Sequence, residues 1–265
     1  MIPFLVGGAL IKILIDTNKS MKLDEQAQKK YAKAYERERE ARALIYEKSS
    51  QANNSLLKVA NRKRAILSTS MNDFLELYEK IIKINFVPGD GILELENSVL
   101  APSRLSEIRN VTNTAISPMT DKEIVRSFLL KGIGGAMIDD SKRTLEMASN
   151  QLKASNVAYS QAETAAVIFN GIIERSNKFA TLLSKMDLFF SRSIKTSSEI
   201  IEKNGKDRSG YNIRDRETLM TCINFADAIK KVIDAPLLNE SGEIAEASIA
   251  AIQTGNAYLD KLKNI

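Results

Sequence analysis

The feature that most constrains the fold is a long stretch of chain without the two residues that most often end a helix. Neither Gly nor Pro occurs from Ala9 to Phe86. A continuous helix of that length would reach about 117 Å, whereas a typical globular helix has about 12 residues. The polar run SSQANNS, Ser49–Ser55, collects side chains that compete for backbone hydrogen bonds. We therefore predict long helical arms, with a kink or break in that run.

Two long tracts carry apolar stripes with spacings of three and four residues, which are typical of helices that pack along one another. The first tract is 17–86, and the second is 136–204, which only Gly171 interrupts. We predict an all-α protein, an elongated helical bundle built on a long antiparallel coiled-coil-like hairpin. The stripe residues are Leu67, Met71, Phe74, Tyr78 and Ile81 in the first tract, and Ala162, Ala166, Phe169, Ile173, Ser176, Ala180 and Leu183 in the second.

Turn residues divide the chain into five segments. In the connector between the arms, Thr120 followed by Glu123 predicts a capping box at the start of a short helix. Alternation typical of a strand is scarce, and ILELE, Ile92–Glu96, is the only fair candidate. The five segments are the apolar N-terminus 1–16, the first arm 17–86, an irregular connector with a short helix 87–135, the second arm 136–204, and a C-terminal helical pair 205–265 that we place at about 213–233 and 244–262.

The N-terminal segment 2–15 contains one charged residue, Lys12. As a helix it would rise about 21 Å, which is short for a hydrocarbon core of roughly 30 Å. No small-residue cleavage site follows, so a cleaved signal is disfavoured, and a polar seam that includes Gly8 and Lys12 suits the lipid interface. Packing into the bundle stays an open alternative. The expected membrane contacts are Ile2, Phe4, Leu5, Val6, Leu10, Ile11, Ile13 and Leu14.

The basic excess lies directly after this segment. The stretch 18–70 holds 13 Lys/Arg against 6 Asp/Glu, while 71–100 holds 2 against 6. Such a tract can meet an anionic lipid surface or nucleic acid. Nucleic acid is disfavoured because the known binding motifs and Trp are absent. A solvated helix face, or a position near the acidic tract, is the plainer interpretation. The densest basic patch consists of Lys58, Arg62, Lys63 and Arg64.

The residue types that most enzymes use are scarce. There is no His, which removes the usual general base and the common zinc sites, and one Cys, Cys222, which we expect to be a buried small hydrophobe. KGIGG, Lys131–Gly135, lacks the full pattern of a phosphate loop. We predict no catalytic, cofactor-binding or metal-ligating residue and no small-molecule ligand. The lack of paired Cys fits a reducing compartment.

Two strings in the C-terminal half are IERSNKFATLLSKMDLFF, Ile173–Phe190, and ADAIKKVIDAPLLNESGEI, Ala226–Ile244. They resemble the C-terminal part of a group of uncharacterised bacterial helical proteins, some named glycine-zipper proteins and some chemotaxis proteins. The resemblance implies an apolar Gly/Ala-rich segment between two helical arms and contact with a membrane. Here that position holds only GIGGAM, Gly132–Met137. The resemblance implies no reaction and no ligand.

Taken together, these patterns predict a non-enzymatic membrane-associated helical scaffold, or an oligomerisation or interaction protein. We expect it in the bacterial cytoplasm, peripheral to or N-terminally anchored at the inner membrane. The expected partners are anionic lipid and either a second copy or another protein. The alternative is a membrane-permeabilising effector that inserts the N-terminal helix and GIGGAM. An enzyme without histidine chemistry ranks third, and a concave polar pocket lined by Lys and carboxylates would favour it.

Overall fold

The structure, a computed structural model, describes residues 17–130, 159–239 and 242–263. The prediction of an all-α protein is confirmed, since these residues contain α-helices and no β-strand beyond an isolated bridge between Leu238 and Ile244. The helices are α1 (Thr17–Ser68), α2 (Ser70–Ile81), α3 (Ile92–Ser98), α4 (Pro102–Ile116), α5 (Asp121–Val125) with a π-helical turn (Arg126–Leu130), α6 (Tyr159–Asn204), α7 (Ile213–Asp234) and α8 (Glu246–Lys263).

Helix α1 runs without interruption through the SSQANNS run, so the break predicted there does not occur. Four of the six polar side chains of that run are exposed, Ser49 and Ser55 are half-buried, and Ala52 is buried, so the run is amphipathic. The break occurs instead at Thr69, whose backbone leaves the helical region. The hydroxyls of Ser68 and Thr69 both donate to the carbonyl oxygen of Ala65, and such back-bonding often bends helices.

Both apolar stripes are buried as predicted. All five stripe residues of the first arm are at most 2 % exposed. In the second arm Phe169 and Ile173 are partly buried against the core, and the other stripe residues are buried. The aromatic ring of Phe74, on α2, packs 5.7 Å from that of Phe190, on α6. The stripes therefore form one continuous core in which α1 and α2 pack along α6.

The two arms run parallel, and the predicted antiparallel hairpin is wrong in this respect. Where the two arms touch, a higher residue number on one helix is paired with a higher residue number on the other. Only a parallel pair of helices has this pattern. In chain order the contacting pairs are Lys63 with Phe179, Ser70 with Asp187, and Phe74 with Phe190. Periodicity marks which face of a helix is apolar but is the same in either direction.

Helix α4 carries the chain back along the first arm, which makes the parallel arrangement possible. Arg64 donates to the carbonyl oxygen of Ala115 at 2.8 Å, and Arg109 forms a 2.8 Å ion pair with Glu79. Residue numbers rise along α1 and α2 as they fall along α4, so α4 is antiparallel to the first arm. The predicted capping box at Thr120 then begins α5 and is confirmed by its reciprocal hydrogen bonds with Glu123.

The C-terminal pair packs on α6 in two opposite directions. Helix α7 begins at a capping box between Asn212 and Asp215 and returns antiparallel to α6, with Phe225 contacting Phe190 at 5.5 Å. Helix α8 then runs parallel to α6 and approaches it closely at Gly255. The two predicted C-terminal helices are thus present, close to the positions expected.

The one candidate for a strand, ILELE, is helical and belongs to α3. Gly91 precedes the helix with φ +85°, a conformation that favours Gly, and its carbonyl oxygen accepts from the amide of Leu95. Ile92 is buried and Leu95 is partly buried, one helical turn apart. A run this short fits the periodicity of a helix as well as that of a strand. The left-handed backbone conformation of Gly91, just before the run, favours the helix.

We predict that oxidation of the S70C/S191C variant gives an intramolecular disulfide, because the two hydroxyl oxygens are 2.9 Å apart in the parallel arrangement. Peptide mass spectrometry and mobility under non-reducing conditions would detect it. S70C/S198C is the matched control, since Ser198 lies about 10 Å further along α6, beyond disulfide reach. Cross-linking of the control but not of the test pair would contradict the parallel register.

We predict opposite effects for the same substitution at two helical glycines. Gly→Ala inside a helix normally stabilises by about 1 kcal/mol. G171A should follow that rule, since its Cβ would meet Ile244 at an ordinary 3.7 Å. G255A should instead destabilise by about 1–3 kcal/mol, because its Cβ would lie 2.7 Å from buried Leu182. Melting followed by circular dichroism measures both, and equal melting temperatures would contradict the close approach of α8 to α6.

Candidate functional site

The predicted membrane-contact residues lie outside the described residues, which begin at Thr17. The same holds for KGIGG and GIGGAM. None of the helices that the structure describes combines enough length with enough apolar character to cross a membrane. The predicted contacts outside the described residues are Ile2, Phe4, Leu5, Val6, Leu10, Ile11, Ile13 and Leu14.

The first described residue after segment 2–15, Thr17, lies at one end of the molecule. Because α1 and α6 are parallel, both begin toward the same end of the molecule. Counting back from the contact between Lys63 and Phe179, the first described residue of α6, Tyr159, lies level with about residue 43 of α1. Helix α1 continues about 39 Å further, to Thr17. The apolar segment 2–15 is joined to the end of this extension.

The predicted basic patch does not form one surface. Lys58 and Arg62 are exposed, whereas Lys63 is completely buried. Arg64 is half-buried and donates to two carbonyl oxygens at the end of α4, at 2.8 Å each. Successive residues of a helix point about 100° apart, so a run of three basic residues cannot share a face. Of the four predicted residues, Lys58 and Arg62 alone are available to a partner.

Lys63 occupies a position that is costly for an ammonium group. Its Nζ donates to the carbonyl oxygen of Ala235 at 2.6 Å and lies 5.0 Å from the centroid of the Phe179 ring. Burial lowers the pKa of Lys63 from 10.5 to about 7, and the negative charge of Asp234 opposes the shift in part. The group sits at the C-terminal end of α7, where the helix dipole favours a cation. Its burial keeps any substrate from the amine.

A second buried lysine, Lys230, is fully paired. Its Nζ donates to both oxygens of Asp234, at 2.5 and 2.6 Å, and to Glu107 at 3.2 Å. Arg104 adds ion pairs to the same two carboxylates. Desolvation raises the pKa of Glu107, but the charges of Lys230 and Arg104 outweigh it and leave that pKa below its usual value. The network joins α4 to the end of α7 and is structural. The spacing of Lys230 and Asp234, one helical turn apart, is its signal in the sequence.

A third polar cluster lies at the end of the molecule farthest from Thr17. Asp90 is buried in the loop after α2 and accepts two hydrogen bonds from Arg208 and one from Arg216. The side-chain bonds from Arg208 and the amide of Val87 hold the pKa of Asp90 well below its usual range. This carboxylate therefore locks the loop after α2 to the loop between α6 and α7. The sequence signal is an Asp between two glycines in VPGDG.

The single thiol has no nucleophilic role in this arrangement. Cys222 is completely buried on α7. Burial raises its pKa to about 11, and hydrogen bonds with Ser193 and Ser197 offset this in part. A protonated thiol without access to solvent is unreactive. This placement agrees with the expectation of a buried small side chain.

A groove of about 500 Å³ lies between α6 and α8, and like the pocket that would favour an enzyme it is lined by lysines and a carboxylate. Its carboxylate, Glu174, pairs with Lys178 at 2.5 Å in a solvent-exposed setting. This pairing lowers the pKa of Glu174, so the carboxylate stays ionised and cannot act as a general acid near neutral pH. The groove is lined by Glu174, Asn177, Lys178, Thr181, Leu182, Lys185, Ile252 and Asn256.

Neither a metal site among the described residues nor a similarity to known proteins assigns a function to this chain. Among the described residues, no group of His, Cys, Asp and Glu side chains is placed to hold a metal ion. Comparison with protein-family models, with curated proteins and with solved structures gives no significant match. The resemblance to bacterial glycine-zipper proteins therefore stays a prediction.

We predict that Lys63 makes the protein more stable as the pH rises from about 7 to 8.5. The pKa of Lys63 is about 7 in the folded state, against 10.5 for an unperturbed lysine side chain, so the unfolded chain binds the extra proton in this window. The free energy of unfolding should therefore rise by up to about 1.4 kcal/mol per pH unit. Urea unfolding at several pH values measures this slope.

K63M should remove the slope, because the titrating group is gone. K58M is the matched control, since Lys58 is exposed on the same helix and should leave the slope unchanged. The window ends at pH 8.5 because Cys222 begins to contribute above that pH, with the opposite sign. A slope that persists in K63M would show that Lys63 does not titrate in the folded protein near neutral pH.

Proposed function

We propose that the protein is a non-enzymatic membrane-associated scaffold. In this proposal the apolar segment 2–15 holds the chain to the anionic cytoplasmic face of a bacterial inner membrane. The long arm formed by α1 and α6 then projects as a surface for oligomerisation or for a protein partner. No cofactor or small-molecule ligand takes part.

The parallel direction of α1 and α6 is the observation that carries the proposal. It means that both arms begin toward one end of the bundle, and α1 extends about 39 Å beyond the level of Tyr159 to Thr17. The apolar segment 2–15 precedes that end in the sequence. An apolar segment at one end gives the molecule a polarity that suits attachment to a surface.

The exposed apolar side chains on the arm support its role as an interaction surface. Tyr46 on α1 is 78 % exposed, and Val167 and Ile168 on α6 are 70 % and 59 % exposed. All three lie in the part of the arm that precedes the contacts with α4 and α7. Aromatic side chains such as Tyr are enriched at protein–protein interfaces, and neighbouring exposed aliphatic side chains add apolar surface for a partner to bury.

The non-enzymatic part of the proposal is supported by the state of the candidate chemical groups. Cys222 and Lys63 are buried away from any substrate. The exposed carboxylate of the groove, Glu174, is engaged by Lys178. No His is present anywhere in the sequence to act as a general base.

We predict that the intact protein co-sediments with liposomes that contain anionic lipid, and that removal of residues 1–16 abolishes this. Apolar burial contributes roughly 25 cal/mol per Å², and each nearby Lys or Arg adds about 1 kcal/mol at an anionic surface. Binding should therefore weaken with salt without vanishing. Circular dichroism should show nearly unchanged helicity after the deletion.

K58Q/R62Q is the matched control for the electrostatic part. Lys58 lies about 60 Å along α1 from Thr17, far beyond the Debye length of about 10 Å, so its charge cannot support binding at the N-terminal end. The double variant should bind as the wild type does. If the truncated protein still binds, the segment is not the anchor, and if it unfolds, the segment belongs to the core.

A membrane-permeabilising effector is the second candidate, and the presence of two apolar segments in the sequence, 2–15 and Gly132–Met137, favours it. In that case both segments would insert together after assembly. Release of an encapsulated dye from liposomes separates the two functions. A scaffold binds without leakage, whereas an effector causes leakage that rises steeply with protein concentration.

A further inference from the structure

The end of the molecule farthest from Thr17 is formed by two loops together with the helix ends that flank the second loop. We call this end the far tip and define it as residues 82–91 and 203–216. The amide of Asn85 donates to the carbonyl oxygen of Lys206, and the rings of Phe86 and Tyr211 meet edge to face at 5.4 Å. The far tip is therefore one surface built from two distant parts of the chain.

Internal bonds make the far tip rigid. Buried Asp90 accepts from Arg208 and Arg216, which lie in the other loop and at the start of α7. The hydroxyl of Tyr211 donates to the carbonyl oxygen of Gly205 at 2.6 Å, which ties the second loop to its own start. Side chains on the outside of such a loop pair are held in place before any partner arrives.

Three aliphatic side chains stand on the outside of this rigid surface. Ile82, Val87 and Ile213 are 46 %, 43 % and 66 % exposed. Val87 directly follows Phe86, and Ile213 lies two residues after Tyr211, so the contact between those two rings brings the aliphatic residues to one end. Exposed apolar residues grouped in this way indicate an interaction surface.

The charge of the far tip is positive. The two loops hold six basic and three acidic residues. Asp90 is offset by its two arginines, and the carboxylates of Asp207 and Asp215 accept hydrogen bonds from the backbone amides of Ser209 and Asn212. The remaining basic side chains are exposed, and they are Lys83, Lys203, Lys206 and Arg214.

We propose that the far tip is a second membrane-contact surface. Its four exposed cations meet anionic lipid headgroups, and Val87 and Ile213 enter the interface to a shallow depth. Cations that surround exposed aliphatic side chains are the chemistry of interfacial binding. A second copy of the same tip would be repelled by like charge. This surface lies at the opposite end of the molecule from Thr17 and rests on the proposed function, because its shallow contacts add to the N-terminal anchor and do not hold the protein to vesicles without it.

The absence of Trp from the sequence gives a direct test. I213W in the full chain places a single fluorescent reporter at the far tip. Adding vesicles of phosphatidylcholine and phosphatidylserine should shift its emission to the blue, and brominated lipid should quench it. L188W is the matched control, because Leu188 is also exposed, at 51 % against 66 % for Ile213, but lies on the side of α6, away from both loops. Its emission should not change.

The charge requirement is tested in the same background. K203Q/K206Q/R214Q should move the midpoint of the I213W shift to higher lipid concentration, roughly fivefold for each removed charge. K58Q/R62Q/K185Q removes the same charges from exposed sites elsewhere and should leave the midpoint unchanged. Unchanged I213W emission at lipid concentrations where the protein co-sediments would overturn this inference and leave the N-terminal anchor standing. Removal of residues 1–16 should abolish the I213W shift together with co-sedimentation, so that result tests the anchor, whereas the I213W shift in the full chain tests the far tip.

Discussion

The contact between α6 and the first arm is the interaction on which the other packing depends. Helices of this length cannot bury an apolar stripe alone, because most helical stability in water comes from tertiary packing. Once α1 and α2 lie along α6, their joint surface offers a platform for three further helices. α4 covers it from one side, while α7 and α8 attach through α6. The long arms thus organise the bundle, and the shorter helices close it.

An apolar stripe with heptad-like spacing does not by itself fix how far one helix is shifted along the other, since a slide of one repeat restores similar contacts. The polar contacts supply that information. Ser70 pairs with Asp187 across the arms, and Lys63 reaches the end of α7 at Ala235. Each would be left without a partner in a shifted register, and an unpaired buried polar group is costly. The buried polar groups therefore specify one arrangement among several that the apolar residues alone would allow.

The sequence predicted which faces of the helices are apolar and where some helices begin, but it did not predict the direction of the two arms relative to each other. The stripes from Leu67 to Ile81 and the capping box at Thr120 were predicted, because periodicity and local hydrogen bonding act within a few residues. The parallel pairing was not, because an apolar stripe is the same in both directions. The burial of Lys63 was missed for a related reason, since its neighbours Arg62 and Arg64 made it look like part of a surface patch. Its partner, the carbonyl of Ala235, is distant in sequence and leaves no local signal.

The two ends of the first arm differ in how they are built, and the difference bears on what a rod of this kind can do. At the end near Thr17, α1 extends beyond the first described residue of α6. The apolar segment 2–15 precedes this end in the sequence. At the far tip, Asp90 and its arginines cross-link two loops into a fixed surface. From Thr17 to Ile81 the path along the helices is at most about 97 Å. A stiff helical arm transmits position over that length in a way that a flexible linker cannot. Under the proposed function, attachment near Thr17 therefore fixes how far from the membrane the partner surface of the arm lies.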